Sequence, residues 1–260
     1  NYIYAPKSDK YLRSEWQSPW PVKEFDQLKQ LFTQAGSEGV MCGVGLSPIR
    51  LADIKRDDSR KALQEKLEQI NELTVHWLGI FFDDMPSSGQ SMAAAQLGIV
   101  EFIAGLSTAK HIVVCPSYYT TDALLDKIFG ERPSSYWSEI GRNLPANIDI
   151  FWTGEKVCSR SFDRENIEFI AEQFRRLPTL WDNYPVNDGE KGSRFLNLQP
   201  FTKRPGWLEQ YTAGHFANPM NQPFLSLLPL ATLASSYGAS PEQQEENWKR
   251  AAEQLCPEFV

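Results

Sequence analysis

The sequence has little that would suit a membrane, a metal or a nucleic acid. Nowhere in its 260 residues is there an apolar run of about 18, so no segment reads as a membrane span. Acidic residues outnumber basic ones, for a net charge of −7. That argues against a partner held through its phosphates, nucleic acid included. The three histidines, His76, His111 and His215, are too dispersed for a ligand spacing, so no metal is expected, and no other cofactor. The four cysteines, Cys42, Cys115, Cys158 and Cys256, form no metal knuckle or redox motif. Cys42 and Cys115 sit inside apolar runs and read as small buried hydrophobes, which leans weakly to a reducing cytoplasm. No Gly-rich phosphate fingerprint follows any apolar run, which weakens a nucleotide-binding sheet. Low-complexity stretches are absent as well.

What is present is ordinary globular composition with a strong pattern. Apolar residues make up 42% and charged residues 23%, enough for a large core. Aromatics reach 12%. Rings of this kind stack on sugar faces, but core packing is their commoner use. Short β-rich runs recur at Tyr2–Tyr4, Val40–Leu46, Val75–Phe82, His111–Cys115, Ile148–Trp152, Thr179–Trp181 and Gly214–Ala217. Their starts lie roughly 30 to 40 residues apart, the length of a strand plus a crossover helix. Helical periodicity fills most gaps: Pro21–Ala35, Asp58–Leu73 with Asp58 or Ser59 as a cap, Ser91–Leu106, Asp163–Arg175, Phe224–Tyr237 and Pro241–Leu255. Seven strand–helix units predict an α/β protein, a (β/α)8 TIM barrel in preference to an open sheet. One strand is missing, and the abrupt start at Asn1 places it upstream. Residues 1–220 are expected to form the barrel and 221–260 two helices that close it.

Active sites of such barrels form at the C-terminal ends of the strands. Every predicted strand end but the second offers a polar or aromatic candidate. The sharpest is Asp83-Asp84, directly after the apolar run Leu78–Phe82. Two adjacent carboxylates at a turning strand end can face one pocket, where one is held protonated as a donor. Glycosidic bond cleavage needs that donor and a negative partner. The plain alternative is a solvated loop pair or a helix cap. Trp152 and Trp181 suit sugar stacking or rim packing equally. Asn183, Asp188 and Asn218 offer hydroxyl-binding groups, although such residues are common in turns. Lys7 suits a hydroxyl, a carbonyl or a carboxylate partner, and the sequence leaves that open.

Taken together these segments resemble glycoside hydrolase family 84, the β-N-acetylglucosaminidases and protein O-GlcNAcases. The segments are Tyr2–Lys7, Phe81–Asp84, Cys115–Tyr119, Phe151–Gly154, Trp181–Asn183 through Asn187-Asp188, and Asn218-Pro219, in the family's order. The resemblance implies a barrel and a retaining, substrate-assisted mechanism, in which the 2-acetamido oxygen of the sugar attacks its own anomeric carbon. It implies that Asp83 orients the acetamido group and that Asp84 is the acid and then the base. It further implies that Tyr119, Thr153 and Trp181 line the acetamido pocket and that Lys7, Asn183, Asp188 and Asn218 bind hydroxyls. The expected partner is a β-N-acetylglucosaminide, on a glycoprotein or a glycan. A non-catalytic sugar-binding relative is the alternative. A barrel hydrolase with a covalent carboxylate nucleophile is a third reading, for which Asp182 and Asp188 are candidates.

Overall fold

A computed structural model describes residues 1–51, 54, 56–83, 85 and 91–257. The chain divides into two compact units. The first comprises Asn1–Tyr119, Ala123–Phe151 and Gln173–Arg176, and the second Thr120–Asp122, Trp152–Glu172 and Leu177–Val260.

In the first unit the strands are β1 (Tyr2–Tyr4), β2 (Cys42–Leu46), β3 (Trp77–Phe81), β4 (His111–Cys115) and β5 (Ile148–Trp152), whose last residue belongs to the second unit. Each pairs in parallel with the next, with Val44 opposite Leu78 and Phe81 opposite Cys115. The connections carry α1 (Val22–Ser37), α2 (Asp57–Glu72), α3 (Met92–Leu106), α4 (Ala123–Phe129) and α5 (Tyr136–Asn143). Parallel strands need crossovers of this length, and helices supply them. Val44, Leu46, Leu78, Ile80, Val113 and Ile150 are fully or almost fully buried. A sheet covered on both faces demands such near-continuous apolar runs. Gly45 and Gly79 interrupt two of them because a Cβ at either position would overlap the Phe81 ring.

In the second unit, α6 (Arg164–Phe174, its last two residues in the first unit) is followed by β6 (Thr179–Asp182), α7 (Gly189–Gly192), α8 (Leu208–Tyr211) and β7 (Gly214–Ala217). β6 and β7 pair in parallel, Thr179 opposite Gly214. Then come α9 (Pro223–Leu230) and α10 (Pro241–Leu255). Ser240 caps α10, its side chain accepting from the Gln243 N–H, with Pro241 in the first turn. All seven predicted strands are present, within two residues at either end.

The helices depart from the sequence reading in instructive places. Neither Asp58 nor Ser59 caps α2; Arg56 does, without a side-chain bond. Asp58 lies inside the first turn, where it pairs with Arg56 at 2.9 Å and its charge complements the helix dipole. Leu31 of α1 and Phe169 of α6, apolar though they are, are exposed. The predicted Phe224–Tyr237 helix breaks in two, α9 and a 3-10 turn at Ala234–Tyr237. Pro229 within it has no N–H to donate. α5 was not anticipated, because Gly141 obscures its periodicity; a Cβ there would collide with the backbone at Gln173 and Phe174. Among the described residues no helix is long and apolar enough to cross a membrane.

Candidate active site

The candidate residues fall in both units, each set on its own strand ends. In the first unit Lys7 follows β1, Asp83 follows β3 and Tyr119 follows β4. These strands are parallel and in register, so all three residues stand at the C-terminal end of their sheet. Lys7 is exposed, while Tyr119 is buried. Asp83 is largely buried and pairs with Arg13, Nη1 to Oδ2 at 3.5 Å. Arg13 was not singled out from sequence, since nothing in a polar loop before α1 marks it. Asp84, next in the chain, lies outside the described residues.

In the second unit the structure brings three candidates together. Asn183 Oδ1 accepts from Trp181 Nε1 at 3.0 Å and from Asn218 Nδ2 at 3.0 Å. The Asn183 amide donates in turn to the Val157 carbonyl at 2.6 Å. These three contacts settle which end of the Asn183 amide carries the oxygen. The Asn218 N–H also donates to the Asp182 carbonyl at 2.8 Å, continuing the ladder between β6 and β7. Thr153 is buried at the end of β5, and its hydroxyl donates to the Lys156 carbonyl at 2.9 Å. Gly154 beside it takes φ +92°, a left-handed conformation that favours glycine. Its carbonyl accepts from the Thr120 hydroxyl at 2.7 Å. Asp188 is exposed at the N-terminus of α7 and does not join the Trp181–Asn183–Asn218 cluster through these bonds.

Beneath that cluster lies a charged hub missed by the sequence reading. Asp182, almost fully buried, takes both arms of Arg204, Nη2 to Oδ1 at 2.7 Å and Nε to Oδ2 at 2.8 Å. His215 Nε2 meets Asp182 Oδ2 at 3.1 Å, and Nδ1 meets the Tyr237 hydroxyl at 2.6 Å. Arg204 also donates to the Arg160 and Thr202 carbonyls, with the rings of Phe162, Tyr184 and Phe201 around it. Burial alone would raise the Asp182 pKa, but the hydrogen bonds and charges of His215 and Arg204 outweigh it and hold the carboxyl below its ordinary value. Burial pushes the Tyr237 phenol up to about 12. The phenol therefore stays protonated beside Nδ1. A carboxylate so committed is no nucleophile, which removes Asp182 from the covalent-intermediate reading. The one signal in sequence was Asp182 itself; Arg204 lies 22 residues on, and no spacing links them.

A cleft of about 320 Å³ is lined by Lys29, Phe32, Cys42, Glu72 and His76 among others. It lies at the N-terminal ends of β2 and β3, and none of the candidate residues lines it.

The model of the β-N-acetylglucosaminidase family matches residues 1–259. The chain belongs to that family. Protein O-GlcNAcase of Rattus norvegicus is 27% identical over 245 residues, covering 91% of this chain and 26% of that protein. A solved O-GlcNAc hydrolase of Thermobaculum terrenum, in a mutant form, superposes with a TM-score of 0.84 at 31% identity, over 99% of this chain and 57% of that one. The structure of CpGH84B gives 0.82 at 27% identity, over 99% and 46%. The chain thus spans about a quarter of the curated relative and about half of each solved structure. The fold is the family's (β/α) barrel, with seven strands among the described residues.

Proposed function

We propose that this chain carries a glycoside hydrolase site that removes β-linked N-acetylglucosamine with retention, through an oxazoline formed by the substrate. The observation that carries the reading is Asp83 at the end of β3, followed in sequence by a second carboxylate, in a chain that the family model matches almost end to end. In the first step the acetamido oxygen attacks the anomeric carbon and the glycosidic C–O bond breaks. Asp84 gives its proton to the leaving oxygen. Asp83 accepts from the acetamido N–H and stabilises the positive charge that develops there. In the second step Asp84 takes a proton from water, which attacks the same carbon and opens the oxazoline. Tyr119, Thr153 and Trp181 line the acetamido pocket, and Lys7, Asn183, Asp188 and Asn218 bind hydroxyls. The mutual bonding of Trp181, Asn183 and Asn218 supports this, because ready-placed polar groups spare the cost of ordering them on binding. The names of the relatives favour sugar attached to protein over free glycan.

The test is hydrolysis of an aryl β-N-acetylglucosaminide by the full-length protein, wild type beside Asp84→Asn. Wild type should turn over, and the variant should lose about 10²- to 10⁴-fold. The loss should shrink for a very good leaving group, which needs little protonation. A thiazoline mimic of the oxazoline should bind tightly. No turnover by folded wild type would remove the enzyme reading and leave a sugar-recognition relative, to be sought by N-acetylglucosamine binding.

A further inference from the structure

Behind the end of β3 three buried side chains close a hydrogen-bonded ring. The Ser117 N–H donates to the Tyr136 hydroxyl at 2.9 Å, and that hydroxyl donates to Gln96 Oε1 at 2.5 Å. The Gln96 amide donates to Ser117 Oγ at 2.8 Å. Ser117 Oγ spends its own proton on the Phe82 carbonyl at 2.7 Å. Every bond runs in one consistent direction, so the ring dictates both the Gln96 amide orientation and the Ser117 hydroxyl. Ser117, Tyr136 and Phe82 are at most 1% exposed and Gln96 5%. Burial drives the Tyr136 phenol pKa upward, so the ring stays neutral and intact at any physiological pH.

The position of the ring gives it a consequence. Phe82 is the last residue before Asp83. Its N–H is held by the Cys115 carbonyl at 2.8 Å and its carbonyl by Ser117. Both backbone polar groups of the residue leading into the carboxylate pair are therefore fixed from β4 and the segment after it. That same segment continues to Tyr119, and the Trp137 indole clamps the Tyr118 carbonyl at 2.6 Å. Gln96 comes from α3 and Tyr136 from α5. Ser117 thus bonds the carbonyl of the buried Phe82, while α3 and α5 hold Ser117 through Gln96 and Tyr136.

We propose that Ser117, with Gln96 and Tyr136, is a positioning residue that fixes the Phe82 backbone from which the chain enters the Asp83-Asp84 sequence. The inference rests on the proposed glycosidase reading. Without the Ser117 hydroxyl the Phe82 carbonyl loses its side-chain donor, and the turn into the carboxylates can rotate. A displaced general acid penalises poor leaving groups more than good ones, whereas a loss of fold alone penalises both alike.

The experiment compares wild type, Ser117→Ala and Tyr136→Phe in the full-length protein, each with its melting temperature. Substrates are aryl β-N-acetylglucosaminides with a good and a poor leaving group. Ser117→Ala should lose about 100-fold in kcat/KM on the poor leaving group and less than about 10-fold on the good one. Tyr136→Phe keeps the Ser117–Phe82 bond and should show the same asymmetry at smaller size; it carries the test alone if Ser117→Ala does not fold. An equal loss on both substrates, or none, overturns the proposal. Inactive wild type would instead overturn the glycosidase reading, so the two failures are distinguishable.

Discussion

The two units hold their strand ends by opposite chemistry. In the first, the Ser117–Tyr136–Gln96 ring is neutral, and each donor meets an acceptor. In the second, Asp182, Arg204 and His215 form a charged hub under Trp181, Asn183 and Asn218. A neutral ring has little to desolvate, and losing one member leaves one or two polar groups unsatisfied. A buried ion pair loses far more hydration on folding, and removing one partner strands a charge. Similar tasks, holding a strand end rigid, thus carry different penalties for failure and different responses to acid.

The largest effect should come from Arg204→Met. It leaves Asp182 buried with His215 as its remaining hub partner, and about 3–5 kcal/mol of stability should be lost at pH 7. Urea denaturation of both proteins measures this. A loss under about 1 kcal/mol would show that His215 and relaxation compensate the carboxylate, and the contrast between the units would fall. Acid sharpens the same point. The folded pKa of Asp182 lies below its unfolded value. Its stabilising contribution is therefore present above about pH 4 and lost as pH falls through the folded value. In Arg204→Met the desolvation of Asp182 is no longer opposed by the guanidinium, so the difference between wild type and variant should narrow below pH 4.

Tyr136→Phe should break the neutral ring at smaller cost, about 1–3 kcal/mol, because Gln96 Oε1 and the Ser117 N–H each lose a partner. That loss should stay constant from pH 4 to pH 9, since no member of the ring titrates there. Denaturation at three pH values across that span is the measurement. A pH-dependent loss would mean that a charged group enters the ring when the phenol is gone.

Much of this organisation was legible in the sequence, for physical reasons. The strands stood out because a covered parallel sheet forces unbroken apolar runs such as His111–Cys115 and Ile148–Trp152. Candidate residues stood out because strand ends can be counted, and Trp181, Asn183 and Asn218 proved to be bonded neighbours. Arg13, Arg204 and His215 did not stand out. Each reaches its carboxylate across the fold, Arg13 to Asp83 over 70 residues and His215 to Asp182 over 33, and no local period encodes such a pairing. Gln96 was hidden differently. It lies in an apolar helix and, with Glu101, reads as one of two polar lapses there, until Ser117 and Tyr136 are beside it.

The smallest effect concerns a charge inside the otherwise neutral support of the first unit. Lys66 on α2 is 2% exposed, with Nζ bonded to the Ser18 carbonyl at 2.7 Å and set over the Trp20 ring at 4.2 Å. It anchors the loop that follows Lys7 and carries Arg13; Trp20 in turn bonds Gln69 and Asp9. Burial lowers the Lys66 pKa to about 8, against a smaller opposing pull from Asp9. The unfolded chain therefore holds this proton more tightly than the folded one. Below about pH 8 that difference is a standing penalty on folding, and it is relieved as pH rises toward the unfolded value near 10.4. Lys66→Met removes the titration. The stability of wild type minus that of Lys66→Met should therefore increase between pH 7 and 10, by on the order of 1 kcal/mol after screening by nearby solvent. A difference that stays flat over that range would show that Lys66 keeps its proton as an exposed lysine does, and that the first unit's support carries a fully solvated charge.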